Sequence, residues 1–277
     1  MNYIEVAWNL NEEDIQRVYL IDMLDSAGAN SVIEEAEQLM AYFPEDTFNK
    51  ELLIEHYAFG DLPEFESRTV QQQNWNETWE KSFDPIEIEN KLYLRASFHA
   101  SRAEEFDREI VITPKMSFGT GHHSTTYLML SYLLEYPAVG KRFLDMGAGT
   151  GVLAILAAQQ GASEVWAVDI DEWAFENAKE NAEMNGVDGS VDLRIGSSEQ
   201  IKDIECDIIY ANINRNILLD QIAEYGACLK EGGALFMSGF YTEDLPLIAE
   251  DARKYGFELE DSRGQKNWVA ARWQKQI

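Results

Sequence analysis

Between Phe143 and Ile155 the chain reads Phe-Leu-Asp-Met-Gly-Ala-Gly-Thr-Gly-Val-Leu-Ala-Ile: an apolar run around Asp145, glycines at 147, 149 and 151, then a helix-like apolar stretch. This pattern predicts a strand, a tight turn and a helix N-terminus, where backbone N–H groups and the positive end of the helix dipole meet a ligand. Three features choose among the ligands such a cup can take. A dinucleotide fingerprint places its third glycine five positions after the first, and that position is Val152. No Gly-Lys-Ser/Thr follows, so no lysine is offered to a triphosphate. Asp145, two positions before the first glycine, repels a pyrophosphate but tolerates a cationic centre. A cofactor with a sulfonium and an amino-acid tail, S-adenosylmethionine, meets all three conditions.

Two further residues extend the site. Asp169, in Ala-Val-Asp-Ile-Asp, ends the next strand candidate, where an acid grips ribose hydroxyls in doubly wound folds. Asn212 ends the strand candidate Cys-Asp-Ile-Ile-Tyr-Ala-Asn and is expected to face the transferring methyl group and orient the nucleophile. Methyl transfer from a sulfonium is an in-line displacement, so the task is to align a neutral amine and exclude water. A dry pocket helps by lowering the amine's pKa. The plainer reading of Asn212 is a strand-end turn residue. Ser197 or Ser198 is placed either to meet the adenine edge or to sit in a solvent loop, and Asn214 or Arg215 to cap the next helix.

A third stretch, residues 113–126, reads Thr-Pro-Lys-Met-Ser-Phe-Gly-Thr-Gly-His-His-Ser-Thr-Thr. Gly119 and Gly121 permit close backbone approach, and Thr125 and Thr126 are expected to cap the following helix, so the segment is expected to fold over the cofactor as a lid. His122 and His123 are adjacent and project apart on an extended chain, which argues against a metal site.

The elements that must position these residues follow from the order of apolar periods. From Lys141 onward strands and helices alternate, which predicts an α/β domain with a parallel, doubly wound sheet and ligands beyond its carboxyl ends. The first third reads as strand (Tyr3–Trp8), helix closed by Gly28, two strands (Asn30–Ala36 and Gln38–Phe43), a helix from about Asp46 to Phe59, and a strand (Phe65–Gln71). This β-α-β-β-α-β order is the small α+β, ferredoxin-like plan. Between them Trp75 and Trp79, one helical turn apart, predict a connecting helix. The expected domains are 1–72, a linker helix over 73–90, and 91–277.

Bulk properties bound the function. With 277 residues and 45% hydrophobic content the chain can bury one or two cores. Its acidic start lacks the basic flank and apolar core of a secretory signal, and no stretch reaches about 18 uninterrupted apolar residues, so a soluble, cytoplasmic protein without a membrane partner is expected. Cys206 and Cys228 read as buried free thiols. Fifty acidic residues against 22 basic ones give a net charge of −28, which argues against a bare nucleic-acid partner. A strongly basic protein partner would be steered in by that field; solubility alone is the plainer account.

Taken together, Phe-Gly-Thr-Gly-His-His-Ser-Thr-Thr (118–126), the glycine turn with its helix (145–162), Val168–Val187 and Ala211–Ile213 resemble the PrmA family, bacterial methyltransferases of ribosomal protein number eleven of the large subunit. Residues 74–88 resemble that family's linker. The resemblance implies a ferredoxin-like domain that recognises the basic ribosomal protein, a linker, and a Rossmann-like S-adenosylmethionine-dependent methyltransferase domain. It also implies methylation of lysine ε-amines and of the N-terminal α-amine. It carries cofactor contacts to Thr126, Gly147, Asp169 and Asn212; Asp145 and Gly149 of the glycine turn and Phe118 and Gly119 of the lid complete the expected set. Asn212 is the expected catalytic residue, and no metal is expected. The chain departs from the family at Asn214 and Arg215, where leucine and alanine are usual, and at Lys115, where glycine is usual. The rival readings are a methyltransferase of RNA or of another protein, and a non-catalytic module that binds S-adenosylmethionine. Asn-Ile-Asn-Arg in place of Asn-Pro-Pro-aromatic counts against an amide or base-amine modifier, and the intact carboxylates, glycines and Asn212 count against a relic.

Overall fold

The computed structural model describes residues 3–10, 15–24, 27–29, 31–34, 38–57, 62–70, 83–115 and 117–276. The chain divides into two compact units, Met1–Ser82 and Phe83–Ile277.

In the first unit, strands β1 (Tyr3–Asn9), β2 (Ser31–Glu34), β3 (Gln38–Pro44) and β4 (Glu66–Val70) alternate with helices α1 (Ile15–Leu24) and α2 (Lys50–His56). The sheet order is β2-β3-β1-β4, with every neighbouring pair antiparallel, which is the split βαβ arrangement expected from the element order. Strand residues alternate between faces, so Val6, Trp8, Leu39, Ala41 and Phe43 share a core with Leu20, Leu24 and Leu53. Helix α2 is shorter than the expected span of Asp46–Phe59. The amides of Thr47 and Phe48 bond back to the Pro44 carbonyl in a turn, and the helix starts only after Asn49, whose side chain accepts the Glu51 amide at 2.9 Å.

Of the linker helix expected over 73–90, the part to residue 82, with Trp75 and Trp79, lies outside the described residues. The last part of its expected span, to residue 90, is not helical. Beyond Pro85 the chain forms β5 (Ile86–Ile88), paired antiparallel with β6 (Leu92–Ala96) through Glu89 and Asn90 in the left-handed region. Two left-handed residues between strands suit the hairpin twist, and proline bars a helix from running through it. Strand β7 (Arg108–Ile112) pairs parallel with β6 to complete a three-stranded sheet.

The second unit is built on a seven-stranded sheet. Its elements are α3 (Ser124–Glu135), β8 (Arg142–Met146), α4 (Val152–Gln159), β9 (Glu164–Asp169), α5 (Glu172–Met184), β10 (Val191–Ile195), β11 (Cys206–Asn212), α6 (Arg215–Cys228), β12 (Leu229–Tyr241), α7 (Leu245–Arg253), β13 (Phe257–Gln265) and β14 (Trp268–Lys275). The strand order is β10-β9-β8-β11-β12-β14-β13. The first five run parallel, but β14 is antiparallel to both its neighbours, so the expectation of a wholly parallel sheet is corrected at that edge. The hairpin that reverses the chain has Lys266 and Asn267 in the left-handed region. Successive strand residues feed opposite faces: Phe143 and Tyr210 enter one core with α3 and α4, while Leu144 and Ile209 enter another with α6 and α7. The strand order reverses between β8 and β11, and a crevice beyond the carboxyl ends at such a switch point is where open α/β sheets bind ligands.

Cys206 and Cys228 are buried and free. Among the described residues no helix is long and apolar enough to cross a membrane, and no three His, Cys, Asp or Glu side chains cluster as metal ligands.

Candidate active site

At the switch point a cleft of about 370 Å³ opens between the glycine turn, the ends of β9 and β11, the start of the lid and the loop after β10. The turn that lines it is shaped by what a side chain would strike. Gly147 and Gly149 both have positive φ, and a Cβ would run into the Ile213 side chain at the first and the Phe118 carbonyl at the second. The backbone is therefore threaded between the end of β11 and the lid with room for no other residue.

Hydrogen bonds fix that thread. The amides of Gly147 and Ala148 donate to the Val168 carbonyl at 2.8 and 3.1 Å, and the Gly149 amide donates to Oδ2 of Asp169 at 2.8 Å. The other oxygen of Asp169 accepts the Asp171 amide at 3.0 Å, so its carboxylate is held at the cleft wall from two sides. Thr150, fully buried, ties the turn to the lid: its amide donates to the Phe118 carbonyl and its hydroxyl to the Gly119 carbonyl, each at 2.8 Å.

Asn212 reaches the cleft at the end of β11, and its Oδ1 is buried with no hydrogen-bond partner among the described residues. A buried amide oxygen without a partner is uncommon in a folded protein and calls for an explanation. Across the cleft, Ser197 lines the wall and its hydroxyl accepts from Nε2 of Gln221 at 2.7 Å; Gln221 is in turn fixed by the Tyr225 hydroxyl at 2.6 Å. Asn214, not Arg215, caps α6 by accepting the Ile217 amide at 3.2 Å.

The expected cofactor set divides into those at the cleft and those behind it. Phe118, Gly147, Gly149, Asp169 and Asn212 line the cleft. Asp145, Thr126 and Gly119 stand behind it. Asp145 is fully buried beneath the turn, where Oδ2 accepts the Ala154 amide of α4 at 3.2 Å and Oδ1 has no partner among the described residues. Burial pushes its carboxyl up to about 7, reinforced by the charge of Asp169 and opposed by the Ala154 bond. Thr126 is fully buried in the first turn of α3, its hydroxyl likewise unpartnered. Neither Thr125 nor Thr126 caps that helix. The cap is His123, whose Nδ1 accepts the Thr125 amide at 3.3 Å; desolvation holds the ring below the usual histidine range and so keeps it neutral and able to accept.

Sequence reasoning passed over an asparagine ladder that braces the site from below. Asn177, Asn181 and Asn185 recur every four residues along one side of α5 and its C-cap and grip the strand leading to the lid. Asn185 exchanges hydrogen bonds with both backbone groups of Val111, at 2.9 and 2.6 Å. Asn181 accepts the Thr113 amide and donates to the Thr150 carbonyl, both at 2.8 Å, and Asn177 donates to the Thr113 carbonyl at 3.2 Å. The spacing itself was the available signal, since i, i+4 side chains share one helix face.

Residues 5–276 match the family model described as ribosomal protein L11 methyltransferase (PrmA). The chain belongs to that family. It is 44% identical over 287 residues to the ribosomal protein L11 methyltransferase of Porphyromonas gingivalis, spanning 99% of this chain and 98% of that one. It is 40% identical over 281 residues to that of Bacteroides fragilis, spanning 99% of each. The crystal structure of the ribosomal protein L11 methylase from Lactobacillus delbrueckii subsp. bulgaricus superposes with a TM-score of 0.64 at 27% identity, covering 70% of this chain and 99% of that one. The PrmA match begins at residue 5, so it takes in the first unit, where the sequence offered only an element order.

Proposed function

We propose that this protein transfers methyl groups from S-adenosylmethionine to amines of ribosomal protein L11, the lysine ε-amines and the N-terminal α-amine. The observation that carries this reading is the unpartnered, buried Oδ1 of Asn212 on the wall of a cleft whose other side holds the Asp169 carboxylate, in a chain of this family.

The residues present suit the cofactor. Gly147 and Gly149 put backbone rather than side chains on the cleft wall where the amino-acid tail would lie, the remaining lone pairs of Asp169 suit two ribose hydroxyls, and the wall at Ser197 and Gln221 suits the base. Bound there, S-adenosylmethionine supplies an electrophilic methyl group on a sulfonium. Asn212 accepts an N–H of the incoming neutral amine and so aims its lone pair along the displacement line. Ile213, Ile217 and Met146 give that region of the cleft apolar walls, which disfavour the ammonium form and keep water from the line of attack. No group of this chain is needed as a strong base, because the amine enters neutral.

We assign docking of the basic substrate to the first unit and chemistry to the second, in a cytoplasmic enzyme; the excess of acidic residues supports a basic protein rather than RNA as the partner. Calorimetric titration with S-adenosylmethionine, followed by intact-mass analysis of ribosomal protein L11 incubated with both, tests the reading. Cofactor binding without mass gain on L11 would leave a methyltransferase fold with another substrate.

A further inference from the structure

A second pocket, of about 340 Å³, opens at the opposite end of the seven-stranded sheet, among the first residues of β11, the last of β14 and the segment between α3 and β8. Ile208 lines it four residues before Asn212, about 13 Å away along β11, so this pocket is separate from the cleft. Ile208, Phe236, Tyr136 and Pro137 give it apolar walls, to which Lys141 and Arg272 bring two positive charges. Apolar walls with a few convergent polar groups, in a pocket of this size, are the ordinary make-up of a small-molecule site.

The charges of this pocket do not cancel. Two carboxylates line it, and each already has a cation of its own: Asp207 pairs with Lys230 at 3.0 Å and accepts the Arg142 amide at 2.8 Å, while Glu135 pairs with Arg263 at 2.6 Å. Neither Lys141 nor Arg272 has a carboxylate within ion-pair distance among the described residues. Arg272 is held in place without being neutralised. Its guanidinium lies over the Tyr136 ring at 4.6 Å and Nη2 donates to Oε1 of Gln274 at 3.1 Å, and Gln274 donates in turn to the carbonyls of Gly232 and Gly233. Its Nε is buried with no hydrogen-bond partner among the described residues. In a chain with 50 acidic residues against 22 basic ones, two cations left without a carboxylate are a local charge that an anion would answer.

We propose that this pocket binds a small organic carboxylate with a flat apolar body, the carboxylate held by Arg272 and Lys141 and the body lying against Phe236, Tyr136 and Ile208. The planar fork of a guanidinium matches a carboxylate. The apolar walls contribute only where the ligand has apolar area to bury, which favours an organic acid over inorganic phosphate. Phe236 stacks in turn on Tyr210 at 4.4 Å, and Tyr210 stands two residues before Asn212, so the occupant rests on the layer of rings that backs β11. The site does not depend on the proposed activity and stands whatever acceptor the cleft takes.

Methyl NMR of the full chain tests this, with S-adenosylmethionine present to occupy the cleft and the δ1-methyl signal of Ile208, assigned through Ile208→Val, as the reporter. Benzoate is the probe and benzamide its uncharged counterpart. Benzoate is expected to shift the signal saturably, and benzamide to bind at least about tenfold more weakly. Lys141→Gln, at an exposed position, is expected to weaken benzoate about threefold and Arg272→Gln about tenfold. Should Arg272→Gln fail to fold, Lys141→Gln and benzamide decide. Inorganic phosphate is expected to bind more weakly than benzoate. No saturable shift with benzoate, an equal response to benzamide, or unchanged benzoate affinity in the variants would overturn the site. Phosphate binding as tight as that of benzoate would overturn the apolar body assigned to its ligand.

Discussion

The carboxylate of Asp169 accepts the backbone amide of Gly149 at 2.8 Å, so the residue assigned to the ribose also holds the turn assigned to the amino-acid tail. One substitution therefore strikes both halves of the cofactor. Hydrogen bonds to a charged group contribute roughly 1.5–3 kcal/mol each. Asp169→Ala is expected to weaken S-adenosylmethionine binding by about 10²-fold or more and Asp169→Asn, which keeps one acceptor, by about tenfold. Calorimetric Kd values check this; equal, small losses in both would remove Asp169 from the ribose.

Gly149→Ala tests the thread through the turn. The new Cβ meets the Phe118 carbonyl at a positive φ, so the lid must move away. A cost of about 1–3 kcal/mol in urea unfolding is expected, together with weaker cofactor binding. Stability and affinity both unaltered would mean that lid and turn are not held together as described.

Asp145 makes a signed prediction about pH. Its carboxyl is pushed up to about 7 by burial, far above the ordinary aspartate value. The folded chain therefore holds the proton more tightly than the unfolded one, and the stability this gives is complete below about pH 4 and is lost as pH rises through about 7. Asp145→Asn cannot ionise. Its stability relative to the unaltered chain is expected to rise between about pH 4 and 8 by a few kcal/mol at most, then level off. Urea unfolding of both proteins across that range checks the sign, since the general effect of net charge is nearly common to the two. Parallel curves would mean that Asp145 is not a buried acid.

Much of this was legible in the sequence because the period of apolar residues and the position of glycines fix local structure directly. The strand–turn–helix at Phe143–Ile155, the strand ends at Asp169 and Asn212 and the βαββαβ order of the first unit are of that kind. What was not legible depends on partners distant in sequence. β13 is polar and largely exposed and is a strand only because it lies along β14. Residue type placed Asp145 at the site and the family resemblance placed Thr126 there, but depth was decided by packing, which buries both fully. The cap of α3 passed from threonine to His123 because the helix begins at Ser124, which puts Thr125 and Thr126 inside its first turn.

Asn181 tests the ladder that sequence reasoning passed over. Truncation to alanine leaves the partly buried Thr113 amide and the fully buried Thr150 carbonyl without their partner. A loss of about 2–4 kcal/mol is expected on unfolding. Asn181→Asp sets a buried carboxylate oxygen against the Thr150 carbonyl and is expected to lose at least as much at neutral pH. If urea midpoints of both variants match the unaltered chain, the ladder is not what joins α5 to the lid.

The most direct measurement is the intact mass of ribosomal protein L11 after incubation with the full chain and S-adenosylmethionine, run beside Asn212→Ala with cofactor binding measured in both. The expected result is mass gain in whole methyl steps that maps to amines, slowed about 10²-fold in the variant at saturating cofactor. No gain from the unaltered chain with cofactor bound, or an equal rate in the variant, would contradict the assignment of amine methylation to Asn212 and its cleft.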